Sequence, residues 1–399
     1  MTEGAVGVRL PGAAVAVLAV AAGGAIANDY AIQPALAQVA RDFGAPVPLV
    51  AVVASAAMAG YLAGLALLVP LADRLSPRTL IPVQLLVLAG VLAFAAAAPS
   101  PGVLIGCFVV IGGLTTVAAQ ASAVVGKHSD PGRRGARMGA VSAGISAGIL
   151  LSRFAGGVLA DWIGWRGALL AFAAFVAATA LAAFSLLPSV KESPSGSYLA
   201  SLRALPGLLR THPRLRHATA AGMLWFFAFN LVWVGLALRL AEPPYTLSPA
   251  AIGLYSLAGV LGLVVTRTAG RLSDRFGNRA VMTTGLTVAA CAALVLTFGL
   301  GNPVATAAAL ALFDAGCFAA QVANQAGIVA IDPARSGALN AAYLTLYYAA
   351  GAIGTAIAGT IVAAGWPAIT LLAAAAAAAA VLMTRIKRRR VNNVMTSYI

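Results

Sequence analysis

The chain has 399 residues, 61% of them hydrophobic and 9% charged, with a formal net charge of +15. That leaves too little polar surface to cover a water-soluble body of this size, and the long unbroken apolar runs exclude a barrel of short alternating strands. The basic excess does not describe a nucleic-acid module either, because no hydrophilic stretch is long enough to fold into one.

Apolar segments of the length that crosses a bilayer, about 20 residues, recur roughly twelve times and predict an all-α membrane protein. The first span runs from about Ala13 to Gln33, interrupted near one end by Asn28-Asp29-Tyr30 and ended or kinked by Pro34. Arg9, the apolar run and Ala25-Ile26-Ala27 imitate a secretory signal. The segment is read as a retained span, since it carries polar residues suited to function. The second span, about Val50 to Pro70, places Gly60 and Gly64 at helical spacing for close helix contact. Leu80 to Ala98 and Val103 to Val125 follow, joined by the turn Pro99-Ser100-Pro101-Gly102. A basic loop, Lys127 to Arg137, leads to a fifth span, about Met138 to Leu159. Its row of small residues, including Gly144, Gly148, Gly156 and Gly157, lets two backbones approach.

The turn Ala160 to Gly167 precedes the sixth span, and Gly365-Trp366 holds the corresponding place much later. Pro188 to Pro213 is the long hydrophilic stretch and reads as a boundary. It predicts a first six-helix bundle over residues 1–188, a cytoplasmic linker over 189–215 and a second bundle over 216–399. Part of the linker, Tyr198 to Leu209, has the composition of a helix lying on the membrane. The later spans fall near Ala218 to Leu240, Ala250 to Ala269, Ala280 to Leu300, Val304 to Ala330, Gly337 to Ala363 and Ala368 to Met383. The tail Arg385 to Arg390 suits an anionic leaflet. Cys107, Cys291 and Cys317 lie inside spans at spacings that match no metal site, and no cofactor is expected.

Two short charged turns organise the whole. Gly270 to Arg279 reads G-R-L-S-D-R-F-G-N-R, and Val69 to Arg78 reads V-P-L-A-D-R-L-S-P-R, about half a chain earlier. The pattern G-x-x-x-D-R-x-G-x-R between the second and third spans of each half resembles the signature loop of the major facilitator superfamily. The first copy departs from it, with Val69 and Ser76 where glycines are expected. The resemblance implies twelve helices in two pseudo-symmetric bundles and solute transport by alternating access. It also implies a cytoplasmic gate formed by Asp73, Arg74, Arg78, Gly270, Asp274, Arg275, Gly277 and Arg279. With these loops in the cytoplasm, most Lys and Arg share that side while Arg41, Arg166 and Arg239 lie opposite, which places both termini in the cytoplasm and the chain in the inner membrane.

Within the superfamily the chain is most similar to the drug:proton antiporter type. Even so, no arginine precedes Gly112-Gly113, and Gly144 to Gly148 contains no proline. The functional expectation is therefore proton-coupled efflux of a small amphipathic or drug-like compound by a monomer with no enzymatic activity. The alternative is proton-coupled uptake of a small nutrient or organic anion. A non-transporting receptor is the reading from a different class.

Charges inside a bilayer are costly enough to be functional by default, and Asp29, Arg153 and Asp314 are the clear cases. Asp29 and Arg153 lie at similar depth in one half and are expected to pair, with protonation of Asp29 freeing Arg153. The bland alternatives are an arginine that snorkels to the surface and neutral acids bonded to helix carbonyls. The resemblance makes the first, fourth, seventh and tenth spans line a central cavity, where Asn28, Tyr30, Gln33, Thr115, Thr116, Gln120, Trp225, Asn230, Trp233, Gln321, Asn324 and Gln325 fall. Interhelical hydrogen bonding is the alternative for each amide. No nucleotide-binding loop is present, and His128, His212 and His217 sit in or beside loops.

Overall fold

The computed structural model describes residues 10–189, 207–332 and 335–385. Most of the expected linker, including much of Tyr198 to Leu209, and the basic tail beyond Arg385 lie outside them. Fourteen helices are used below: α1 (Gly12–Ile26), α2 (Leu36–Phe43), α3 (Val47–Leu67), α4 (Pro77–Ala96), α5 (Pro101–Leu114), α6 (Val117–His128), α7 (Pro131–Leu186), α8 (Pro213–Leu240), α9 (Pro249–Leu254), α10 (Val260–Phe276), α11 (Asn278–Leu296), α12 (Pro303–Val329), α13 (Ser336–Ile361) and α14 (Trp366–Arg385). Short 3-10 turns join several of them, and no strand occurs among the described residues.

Proline opens many of these helices at the first or second position, where its missing N–H is no loss and its fixed φ is already helical. The Asn302 side chain accepts from the backbone N–H groups of Val304 and Ala305, and Ser100 accepts from that of Val103. These are conventional caps for otherwise unpaired donors.

Ten stretches of the described residues are long and apolar enough to span a bilayer. The difference from twelve has two causes. α7 runs for 56 residues with a non-helical φ of 75° at Gly164. An unbroken helix of that length would reach ~84 Å, nearly three times the hydrocarbon thickness. The chain reverses at Gly164 instead, so α7 supplies the fifth and sixth spans. The eighth span is α9 plus α10, interrupted at Tyr255–Gly259, and its longest unbroken piece has 17 residues.

The two halves repeat one another in detail. Gly164 and Gly365 both take positive φ, 75° and 95°, immediately before a tryptophan. At the other end, Arg78 Nε donates to Phe184 O at 3.0 Å and Arg279 Nη2 to Arg385 O at 2.7 Å, each across 106 residues. Each arginine thus meets a carbonyl near the C-terminus of the sixth helix of its own half, where a cation is favourable.

Within each half the helices touch through small residues. A side chain on Gly144 or Gly148 would collide with the backbone of α1, and one on Gly60 or Gly112 would collide across the α3–α5 contact. In lipid, where no hydrophobic force pulls helices together, such close approach is the main source of adhesion.

The halves meet along α7 with α9, and along α3 with α13. Near the Trp165 and Trp366 end the contact is tight. Ala250 N donates to Asp161 Oδ2 at 3.1 Å, and a Cβ on Gly359 would stand 2.6 Å from Ala51 Cβ. Toward the end carrying the Asp-Arg loops, α10 hardly touches α7. The halves are closed on each other at the Trp165 and Trp366 end and part along α7 and α10 toward the other.

Candidate functional site: a buried charged cluster at the seam

Three spans break, the first and the eighth where the halves meet and the fourth inside the first half. The first gives up α-helical geometry between Ala27 and Ala35, the fourth at Thr115–Thr116, and the eighth at Tyr255–Gly259. Irregular backbone at membrane depth is tolerated only where protein or water satisfies it. Here it is met internally: Asn28 Nδ2 donates to Gly24 O at 2.8 Å, Thr116 Oγ1 to Gly113 O at 2.6 Å, and Ser256 Oγ lies within 3.0 Å of Leu150 O on α7.

All three intramembrane charges are buried beside these breaks, and Arg153 and Asp314 meet through Trp233. Asp29, Arg153 and Asp314 are 1%, 2% and 0% exposed, so Arg153 does not snorkel to the surface. Its guanidinium is held on several sides. Nε donates to Gln33 Oε1 at 3.0 Å, and the guanidinium carbon lies 4.6 Å from the Tyr30 ring centre, 4.8 Å from that of Trp233 and 5.8 Å from that of Phe229. Aromatic faces attract a guanidinium electrostatically. Trp233 also donates its Nε1–H to Asp314 Oδ1 at 3.0 Å. One indole therefore links the arginine of the first half to the carboxylate of the second.

The expected Asp29–Arg153 ion pair is not formed. Asp29 faces Thr115 of the fourth span, whose Oγ1 lies 2.9 Å from Asp29 Oδ2 and 2.8 Å from Gly112 O. Arg153 leans across the seam toward the aromatic rings of α8 because Gln33 and Tyr30 hold it from behind. Among the described residues, Asp29 Oδ1, Asp314 Oδ2 and both Nη atoms of Arg153 are buried without a hydrogen-bond partner.

The other sequence-predicted residues divide. Tyr30, Gln33 and Trp233 join the cluster. Asn28 and Asn230 turn their amide nitrogens back onto their own helices, Asn230 Nδ2 donating to Phe226 O at 2.9 Å. Trp225 packs at 5.3 Å from Tyr347 in an aromatic wall on the loop side of the cluster. Gln321 Oε1 accepts from Tyr343 at 2.8 Å, Asn324 Nδ2 donates to Ala218 O at 2.9 Å, and Gln325 is half-buried. Thr116 and Gln120 lie elsewhere, inside the first half: Gln120 Nε2 donates to Gln84 Oε1 and Leu68 O, both at 2.9 Å, and Gln84 Nε2 donates to Leu114 O at 2.7 Å.

Several participants escaped sequence reasoning. Phe229, Phe226 and Tyr347 build the wall, the last two stacked at 3.8 Å, and Tyr61 meets Tyr348 across the seam at 4.3 Å. A usable signal existed in Tyr343, Tyr347 and Tyr348, three phenols in a span otherwise rich in Ala and Gly.

At the loop end, the side chain of Asp73 lies outside the described set. Asp274 and Arg275 are exposed, the latter 5.2 Å over its neighbour Phe276, and Gly277 takes φ 86°. Arg78 and Arg279 each bond a carbonyl of their own half.

A polytopic helical body of two related halves, enclosing a buried charged site on interrupted helices, is the architecture of a membrane carrier. The chain belongs to the Major Facilitator Superfamily, whose model matches residues 18–355 and 245–395. It is 33% identical over 368 residues to the probable transporter SCO4007 of Streptomyces coelicolor, covering 91% of this chain and 85% of that one. It is 30% identical over 364 residues to the putative uncharacterized transporter YgaY of Escherichia coli K12, covering 91% and 92%. The crystal structure of the nucleoside transporter NupG superposes with a TM-score of 0.74 over 93% of this chain and 97% of that one, at 15% identity, a likeness of fold. The protein is a multi-pass membrane transporter.

Proposed function

We propose that this transporter is a proton-coupled secondary carrier of a small amphipathic solute, working by alternating access around the Asp29–Arg153–Asp314 cluster. The observation that carries the reading is the cluster itself. Acids and a guanidinium are buried at the contact between halves that are closed at one end and apart at the other, with polar atoms left unpaired. The aromatic wall supports an apolar solute body.

Thr115 supports protons as the coupling ion. Its hydroxyl has one hydrogen and two acceptors. With Asp29 ionised, Thr115 turns to it; with Asp29 protonated, the acid donates to Thr115 and Thr115 donates to Gly112 O. The same atoms thus accommodate both protonation states without moving the backbone.

Direction follows from the sign of the solute. A cation competing with protons for Asp29 or Asp314 is exported in exchange for them, which is the drug-efflux expectation. An anion binding together with protons is taken up. The gate residues Asp73, Arg74, Arg78, Gly270, Asp274, Arg275, Gly277 and Arg279 belong to the end that closes in the opposite state, with the termini cytoplasmic in the inner membrane.

The test is reconstitution into liposomes carrying an internal pH dye, with tetraphenylphosphonium and benzoate as cationic and anionic probes. Probe-dependent proton flux is expected, and Asp29→Asn should abolish gradient-driven accumulation while exchange without a gradient persists. Proton flux indifferent to every probe, or accumulation unchanged in D29N, removes proton coupling through Asp29.

A further inference from the structure

We infer that the solute is a small aromatic monocarboxylate and that the Nη edge of Arg153 is the seat of its carboxylate. This rests on the carrier reading above and names the solute class of that site.

The guanidinium of Arg153 is fixed on every side except one. Gln33 takes Nε, and the rings of Tyr30, Trp233 and Phe229 lie against it. Rings attract the charge but accept no N–H hydrogen bond of ordinary strength. Nη1 and Nη2 remain, both buried and both without acceptors. A buried charged donor left unpaired is expensive. A planar fork of two nitrogens is complementary to the two oxygens of a carboxylate.

The two acids nearby do not fill this position. Asp29 uses Oδ2 toward Thr115, and Asp314 uses Oδ1 toward Trp233. Asp314 reaches the guanidinium only through Trp233 and Asp29 is turned to the fourth span, so the fork is left open. Arg153 is also the one buried cation among the described residues, so a single negative charge matches the site and a dianion does not. The stacked Phe226 and Tyr347 rings, with Phe229 edge-on 5.9 Å from Phe318, offer aromatic surface for an aromatic body.

Charge balance ties the anion to protons. Of the titratable groups, Tyr30 lies against the guanidinium and Asp314 is tied to it through Trp233, while Asp29 adjoins Tyr30, Tyr61 and Tyr348 meet across the seam, and Cys317, Tyr347 and Tyr255 lie on the spans packed around them. Thr115, Trp233 and Ser256 do not titrate. Adding a carboxylate to one guanidinium and two acids makes the buried cluster more negative unless a proton arrives with it. Asp29 and Asp314, each with one free oxygen, are the acceptors for that proton. Solute and proton therefore travel in the same direction.

The experiment uses the purified full-length protein in detergent, with benzoate, the neutral isostere benzamide and the cation benzylamine, at mildly acidic and neutral pH. Isothermal titration and thermal shift should show benzoate binding, tighter at acidic pH, and benzamide at least roughly tenfold weaker. Arg153→Lys keeps the charge without the fork and should weaken benzoate by roughly tenfold; Arg153→Gln should abolish binding. Benzamide equal to benzoate, benzoate unaffected by R153Q, or no carboxylate binding at all overturns the inference. The comparison of isosteres on the unmodified protein decides it even if R153Q does not fold. Benzylamine binding more tightly at neutral pH would replace the anion with a cation and leave the carrier reading intact; only loss of all coupled proton flux would bring that down.

Discussion

Thr115 and Trp233 are the side chains through which the buried acids are tied to other spans. Thr115→Val keeps the shape and removes the hydroxyl, so an ionised Asp29 loses its hydrogen bond from Thr115. Leaving a buried charged group unsatisfied costs about 1–3 kcal/mol or more. Thermal unfolding in detergent should show T115V destabilised, and more so at alkaline than at acidic pH, because protonated Asp29 has less need of the bond. A pH-independent loss would mean that Thr115 serves only the helix break. Trp233→Phe keeps a ring against Arg153 and deletes the bond to Asp314. Probe-dependent proton flux in liposomes should fall while the protein still folds, and a wild-type rate would show that the indole N–H is incidental.

The elements are set by residues that tolerate what others do not. Gly164 joins the fifth and sixth spans at φ 75°, ψ 163°, a region that non-glycine residues reach at a cost of about 1–3 kcal/mol. Gly164→Ala should lower the melting temperature without altering solute affinity, as checked by thermal shift with and without benzoate. Gly148 rests against the backbone of Gly23, and Gly148→Leu should separate α1 from α7. Because α1 leads into the turn that carries Asp29 and α7 carries Arg153, that variant should lose binding together with stability, measured by titration and by yield of monodisperse protein.

At the scale of the molecule, the halves are held at the Trp165 and Trp366 end and apart at the Asp-Arg loop end. Ala51 and Gly359 face each other across the closed seam. In a background lacking Cys107, Cys291 and Cys317, the pair Ala51→Cys and Gly359→Cys should cross-link under mild oxidation, since their Cβ atoms can reach the ~3.8 Å that a disulfide needs. Transport should stop on oxidation and return on reduction. Continued transport by the cross-linked protein would show that this seam does not open during the cycle. Asp161→Asn weakens the charge-assisted bond to the Ala250 N–H across the same seam and should speed cross-linking of probes placed at the opposite end.

Much of this was legible in the residues alone, for reasons that are local. Apolar length dictates spans, because a bilayer of fixed thickness accepts only a helix of matching reach. The repeated Asp-Arg turns exposed the two-fold plan, and the cost of burying charge singled out Asp29, Arg153 and Asp314. Partners were not legible, because they are chosen by helices that approach from far along the chain. Depth alone suggested Asp29 for Arg153, yet packing at the seam supplied Gln33, Tyr30 and the rings of α8. Thr116 and Gln120 read as cavity residues by their span, but the rotation of that span turned them to Gln84. What a chain must bury can be counted along its length, whereas what each buried group meets is decided only when two halves close on each other.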